Sequence, residues 1–165
     1  MRLYLVRHAI AEPHGTRAIS DDERHLTDEG IKKMKQAARG LRSLDILPDV
    51  VLSSPLPRAR QTAEIVIAEL GKKVALNLTD ALAPSGNRRD VYAELEKLGD
   101  PQSIMLVGHQ PSLGEIAGEI AWGSSENYLE LKKGGACCID AVTIHPNPHG
   151  TLVWVLTPSI LRSLA

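Results

Sequence analysis

Short apolar runs alternate with stretches of helical rhythm along most of this chain. Arg2-Leu3-Tyr4-Leu5-Val6 reads as a buried strand, and residues 8–25, polar and without a period, read as a loop. Thr27 is placed to cap a helix with Asp28 and Glu29 in its first turn; Ile31, Met34, Ala38, Leu41 and Leu44 form its inner face. Pro48 closes that unit and residues 49–53 form a second strand. A second helix is predicted over 56–70, with Pro57 in its first turn, Gly71 just past its end, and Ala59, Ala63, Val66, Ile67 and Leu70 as its stripe. Residues 74–78 read as a third strand and 79–87 as a loop. Val91, Tyr92, Leu95 and Leu98 then mark a third helix.

Residues 104–107 are a continuous apolar run, the mark of a strand buried on both faces. Ser112-Leu113-Gly114-Glu115 has the form of a capping box opening a fourth helix. Two strands follow, over 136–144 and 151–157, joined by the turn Pro146-Asn147-Pro148-His149-Gly150. Alternating strands and helices closed by a hairpin predict an α/β protein. The expected form is a three-layer α/β/α sandwich around a mostly parallel six-stranded sheet with a C-terminal antiparallel hairpin. A chain of 165 residues suits a single domain, 1–165.

Composition removes several function classes. A net charge of −1 offers no basic footprint for nucleic acid, and the absence of Phe leaves few stacking platforms. No apolar stretch approaches the roughly 20 residues of a membrane span. The start is too short and too soon charged for a signal peptide, so a cytoplasmic protein, without membrane or nucleic-acid partners, is expected. Cys137 and Cys138 are adjacent, point to opposite faces of a strand, and read as reduced core residues.

The chemistry is predicted where strands end. The first strand runs into Arg7-His8, and the fourth into Gly108-His109. The second is followed by Ser53-Ser54-Pro55-Leu56-Pro57-Arg58, which puts Arg58 in the opening turn of a helix. Cations are disfavoured at helix starts unless an anion is there. In open α/β sheets ligands bind beyond the carboxyl ends of strands, so Arg7, His8, Arg58 and His109 are expected to form one phosphate receptor. One of the histidines would serve as nucleophile.

Four stretches strengthen this: Leu5-Val6-Arg7-His8-Ala9, Leu26-Thr27-Asp28-Glu29-Gly30, residues 52–62 and Leu106-Val107-Gly108-His109. In content and order the chain resembles the histidine phosphatase superfamily, also called phosphoglycerate-mutase-like, and within it the SixA-type protein-phosphohistidine phosphatases. The resemblance implies His8 as nucleophile through a phosphohistidine intermediate, with Arg7, Arg58 and His109 binding the phosphoryl oxygens. It calls for no metal and no cofactor. Two neighbouring guanidiniums would favour the neutral imidazole that attack requires.

The chain departs from the superfamily pattern twice. Ala9 stands where glycine is usual. The carboxylate that many members use as a general acid is missing: Gln110 follows His109, and Ala81 falls at the other acid position, with Asp80 beside it as a possible acid or water-positioning residue. A weak acid suits the P–N bond of phosphohistidine better than a phosphoester, so a phosphohistidine-bearing protein is the expected partner. No long insertion roofs the pocket against it. A monomer is expected. A small-molecule phosphatase or mutase of the same superfamily, or a phosphate-binding module without turnover, are the competing readings. Arg17, Arg24, Arg88 and Arg89 read as solvated surface, and His145 and His149 as residues of the hairpin turn.

Overall fold

A computed structural model of the chain describes residues 1–15 and 20–165. Six strands, β1 (Arg2–Arg7), β2 (Val50–Ser53), β3 (Ala75–Leu78), β4 (Ser103–Gly108), β5 (Ala136–Thr143) and β6 (His149–Leu156), make one sheet in the order β3-β2-β4-β1-β5-β6. The four strands β3, β2, β4 and β1 are parallel; β5 pairs antiparallel with β1, and β6 with β5. Among the described residues the α-helices are α1 (Asp28–Ser43), α2 (Pro57–Leu70), α3 (Arg88–Lys97), α4 (Ser112–Trp122) and α5 (Pro158–Ser163). The predicted α/β sandwich and its closing hairpin are what the chain forms.

Alternation along the strands builds two cores. Tyr4 and Val6 of β1 join Val51, Met105, Val107 and Cys138 under α1, α2 and α5, through Met34, Leu41, Ala63, Val66 and Leu161. Leu3 and Leu5 face the other way, with Leu52, Ile104, Leu106 and Cys137, under Val91, Leu95, Leu113 and Ile116 of α3 and α4. The adjacent cysteines are thus split between the two cores, as a strand's period of two requires, and both are free thiols. A central strand buried on both faces has no polar position to spare until it ends. On β1 and β4 those ends are Arg7-His8 and Gly108-His109.

Several local expectations are revised. Ser112 is the first residue of α4, preceded by Pro111, and no side chain caps that helix. The turn begins earlier, with Leu113 N–H bonded to the His109 carbonyl, so Ser112 already lies inside it. Around the predicted loop the described residues carry more structure than the lack of period suggests: Ala11 bridges to Leu26, and Asp21–Glu23 form a 3-10 turn. α5 has no counterpart in the sequence reading, since six residues are too few to show a helical period. His149 opens β6, where the side chains of Thr143 and His149 hydrogen-bond at 3.0 Å, whereas His145 lies between the strands. Thr27 caps α1 as predicted, accepting from Gly30 N–H at 3.0 Å. No helix among the described residues is long and apolar enough to cross a membrane.

Candidate active site at the carboxyl ends of β1, β2 and β4

β4 lies between β1 and β2, so the three strand ends are neighbours. Main-chain bonds fix the loops that leave them: His8 N–H donates to Gly108 O at 2.9 Å, and Ser54 N–H to Val107 O at 3.0 Å. The imidazoles of His8 and His109 sit 5.1 Å apart, centre to centre, tilted by 54°. Both are buried, as is Arg58. Arg7, His8, Arg58 and His109 are therefore brought together from three separate places in the chain.

The hydrogen bonds decide how each ring is presented. His8 Nδ1 lies 2.8 Å from the carbonyl oxygen of Ala9. A carbonyl can only accept, so Nδ1 carries the proton and Nε2 keeps its lone pair. Burial, then the charges of Arg58, Arg7 and Lys133, push the His8 pKa down to about 4, although the Ala9 bond opposes the shift. The ring is neutral at physiological pH. It has the tautomer of a nucleophile.

His109 is held the other way round. Its Nε2 pairs with Ser54 Oγ at 2.9 Å, and that oxygen already accepts from Leu56 N–H at 3.3 Å. When Ser54 donates to Nε2, the His109 proton sits on Nδ1, which is buried without a hydrogen-bond partner among the described residues. Burial, then His8 and Arg58, push the His109 pKa down to about 3.

Among the described residues four buried side-chain nitrogen or oxygen atoms have no hydrogen bond, and three of them are Arg7 Nε, Arg58 Nε and His109 Nδ1. A buried polar group left unpaired costs about 1–3 kcal/mol, so three in one site mark a place built for an external acceptor. Arg7 otherwise donates from Nη1 to the carbonyl of Leu131 at 2.7 Å. Burial lowers the pKa of both arginines, and an anion between them would relieve it.

The polar loop contributes two residues that spacing did not single out. Asp21 accepts from Arg58 through its main-chain oxygen at 2.7 Å and its carboxylate at 3.2 Å. The same carboxylate takes Arg24 Nε at 2.7 Å and pairs with His14 at 2.9 Å. Burial tends to raise the Asp21 pKa, but the Arg24 hydrogen bond and the charges of Arg58 and Arg24 outweigh it, and the net shift is downward. Arg24 is not the solvated side chain expected: it is buried, with its other end on the Glu12 carbonyl at 2.8 Å. The sole hint in the sequence is an acid and a base three residues apart.

Two more braces were missed. Thr62 Oγ1 donates to Arg58 O at 2.7 Å and accepts from Ala9 N–H at 3.0 Å, which ties the loop after His8 to α2. Ser54 orients His109, as described above. Gly30 lets α1 meet this loop, because a Cβ there would collide with the Ile10 carbonyl.

Asp80 is exposed at the start of the 3-10 turn Asp80–Leu82, and its carboxylate has no hydrogen bond or ion pair among the described residues. Gln110 donates its amide to Leu129 O at 2.6 Å. Arg88 pairs with Glu119 at 2.8 Å and Arg89 is exposed; Arg17 lies outside the described residues. No group of three or more His, Cys, Asp or Glu side chains among the described residues could hold a metal ion.

Comparison with known proteins gives a consistent family. The family model described as "Histidine phosphatase superfamily (branch 1)" matches residues 3–83. The phosphohistidine phosphatase SixA homolog of Haemophilus influenzae is 32% identical over 73% of this chain and 77% of its own length. Phosphohistidine phosphatase SixA of Escherichia coli is 27% identical over 98% of this chain and 97% of its own. A solved structure of the protein histidine phosphatase SixA, complexed with tungstate, superposes with a TM-score of 0.83 at 25% identity, covering 96% of this chain and 98% of that one.

Proposed function

This chain belongs to the histidine phosphatase superfamily, as a phosphatase of the SixA type, and from that premise we propose that it dephosphorylates phosphohistidine in a partner protein through a phosphoryl intermediate on His8. The observation that carries the reading is the neutral His8 ring, its Nδ1–H engaged by Ala9 and its Nε2 free, set among two guanidiniums and a second imidazole. Tungstate, bound in the relative of known structure, is a tetrahedral oxyanion like phosphate.

The reaction follows from these positions. Arg7, Arg58 and His109 Nδ1–H take the phosphoryl oxygens and spread the charge that develops on them. His8 Nε2 attacks phosphorus in line with the departing nitrogen. The substrate imidazole, protonated on its other nitrogen, takes the bonding pair and leaves neutral. Phosphorylated His8 is arranged in the same way, because its own Nδ1–H stays on the Ala9 carbonyl. Water then adds to phosphorus, the P–N pair returns to Nε2, and phosphate departs with the hydrogens of water. Neither step needs a metal ion or a carboxylic acid.

That last point selects the substrate class. The buried polar side chains among the described residues are His8, Arg24, Ser53, Ser54, Arg58, Thr62 and His109, with no carboxylate. Asp21 is held ionised by its arginines, a poor donor for an alkoxide leaving group. A phosphoramidate requires no such donor. The purified protein should therefore turn over a phosphohistidine-bearing protein at least about a hundredfold faster, in kcat/KM, than small phosphomonoesters. The opposite preference would overturn the substrate assignment.

A further inference from the structure

A groove of about 200 Å³ lies beside the site, lined by Ala9 next to His8. Its floor is apolar: Met34 and Ala37 of α1 are buried there, beside Pro158 at the start of α5. Its charged lining is Lys33, Lys133 and Arg162, without any carboxylate. Lys33 keeps Glu29 alongside, but Lys133 and Arg162 have no ion-pair partner among the described residues. The hollow between α3 and the β5–β6 turn mixes Arg89 with Glu96 and Glu119, and that between α1 and α2 mixes Lys35 with Glu64 and Glu69. Single-sign charge thus sets this groove apart from those two hollows, on a chain whose net charge is −1.

The groove is joined to the nucleophile by main chain. Ala9, the residue after His8, lines it. So does Gly134, whose N–H lies 3.1 Å from the carbonyl oxygens of both Arg7 and His8. Gly134 has φ +76, and any side chain there would be strained and would project towards Met34 and Pro158. Lys133 is near enough to His8 for its charge to act on the ring. The groove thus begins one residue from His8, within reach of a protein that presents a phosphoryl group there.

We propose that this groove is the docking surface for the substrate protein, taking an acidic segment next to the phosphohistidine with one apolar side chain seated on the partly exposed Ile10 and Pro158, above buried Met34 and Ala37. The proposal rests on the phosphohistidine reading above and deepens it. Cations at a rim of this kind set encounter rate and partner choice more than they set the chemistry, so their removal acts on KM and leaves kcat. A small substrate that cannot reach the groove should not register them.

The test uses three probes: free phosphohistidine, and two phosphohistidine peptides of equal length flanked by Glu and Leu or by Lys and Leu. The wild-type chain should prefer the acidic peptide by about tenfold in kcat/KM at low salt, and the preference should fade by 0.5 M salt. K33E/R162E should erase or invert the preference through KM, K33Q/R162Q should reduce it by about half on a logarithmic scale, and neither should change turnover of free phosphohistidine. Equal use of both peptides by the wild type would overturn the groove and leave the phosphatase reading intact. Failure to turn over all three would overturn both. Inhibition by a single-stranded oligonucleotide without peptide discrimination would assign the charge to nucleic acid and also overturn the proposal.

Discussion

Strand β1 carries an arginine at each end, and the two are treated in opposite ways. Arg2 is half-exposed and meets a carboxylate, Asp140, in two hydrogen bonds of 2.8 and 3.3 Å; that bond raises its pKa. Arg7 is partly buried, is given one backbone carbonyl, and is left with an unpaired Nε; burial lowers its pKa. A cation satisfied by its own chain is structural. A cation drawn inside and left partly unsatisfied is kept for something else. The contrast separates a surface ion pair from a binding group without reference to any relative.

The sharpest way to break the comparison is at the proposed nucleophile. His8→Asn keeps a polar side chain but has no attacking nitrogen, and should lower kcat by about 10⁴ or more, with no phosphoryl label retained on the protein after acid-free quenching. Arg7→Ala and Arg2→Ala then test the two ends of β1 directly. Arg7→Ala should cost about 10²–10³ in kcat/KM, the loss expected for one donor to the developing charge. Arg2→Ala should leave kcat/KM unchanged and cost at most about 1 kcal/mol in urea unfolding, as exposed pairs do. Equal effects on activity would erase the distinction between them.

Asp21→Asn gives a small effect on catalysis, between those of Arg7→Ala and Arg2→Ala. It removes an ion pair from Arg58 and Arg24 but leaves the main-chain oxygen on Arg58, so kcat/KM should change within about fivefold, the equivalent of about 1 kcal/mol. A loss as large as that of Arg7→Ala would mean that Asp21 takes part in the chemistry itself.

The fold, and the convergence of Arg7, His8 and His109 at neighbouring strand ends, were legible in the sequence for one physical reason. β1 and β4 are buried on both faces, so their apolar runs are unbroken and the polar residues that end them stand out. Arg58 was legible because a cation opposes the dipole at a helix start. Asp21 and Arg24 were not, because a 3-10 turn of three residues has no period, and the burial of Arg24 depends on partners at Glu12 and Asp21 fixed only in three dimensions. Ser54 and Thr62 were hidden for the opposite reason. A serine after a strand and a threonine in a helix are common, and only the atoms they touch, His109 and Ala9, give them a role.

Both imidazoles also tie stability to pH. Their folded pKa values lie below the ordinary value of 6.5, so in mildly acid solution the unfolded chain binds protons that the folded one refuses. Stability should accordingly fall as pH drops from about 6.5 towards 4, where His8 titrates, and further towards 3 for His109. The same property is the centre of the functional account, since only a neutral His8 with a bare Nε2 can attack phosphorus. Long-range ¹H–¹⁵N spectra of the imidazoles, recorded between pH 8 and pH 4, test it most directly. The account predicts a His8 ring neutral down to pH 5, protonated on Nδ1 and not on Nε2. A ring that titrates near 6.5, or one that carries its proton on Nε2, would contradict it.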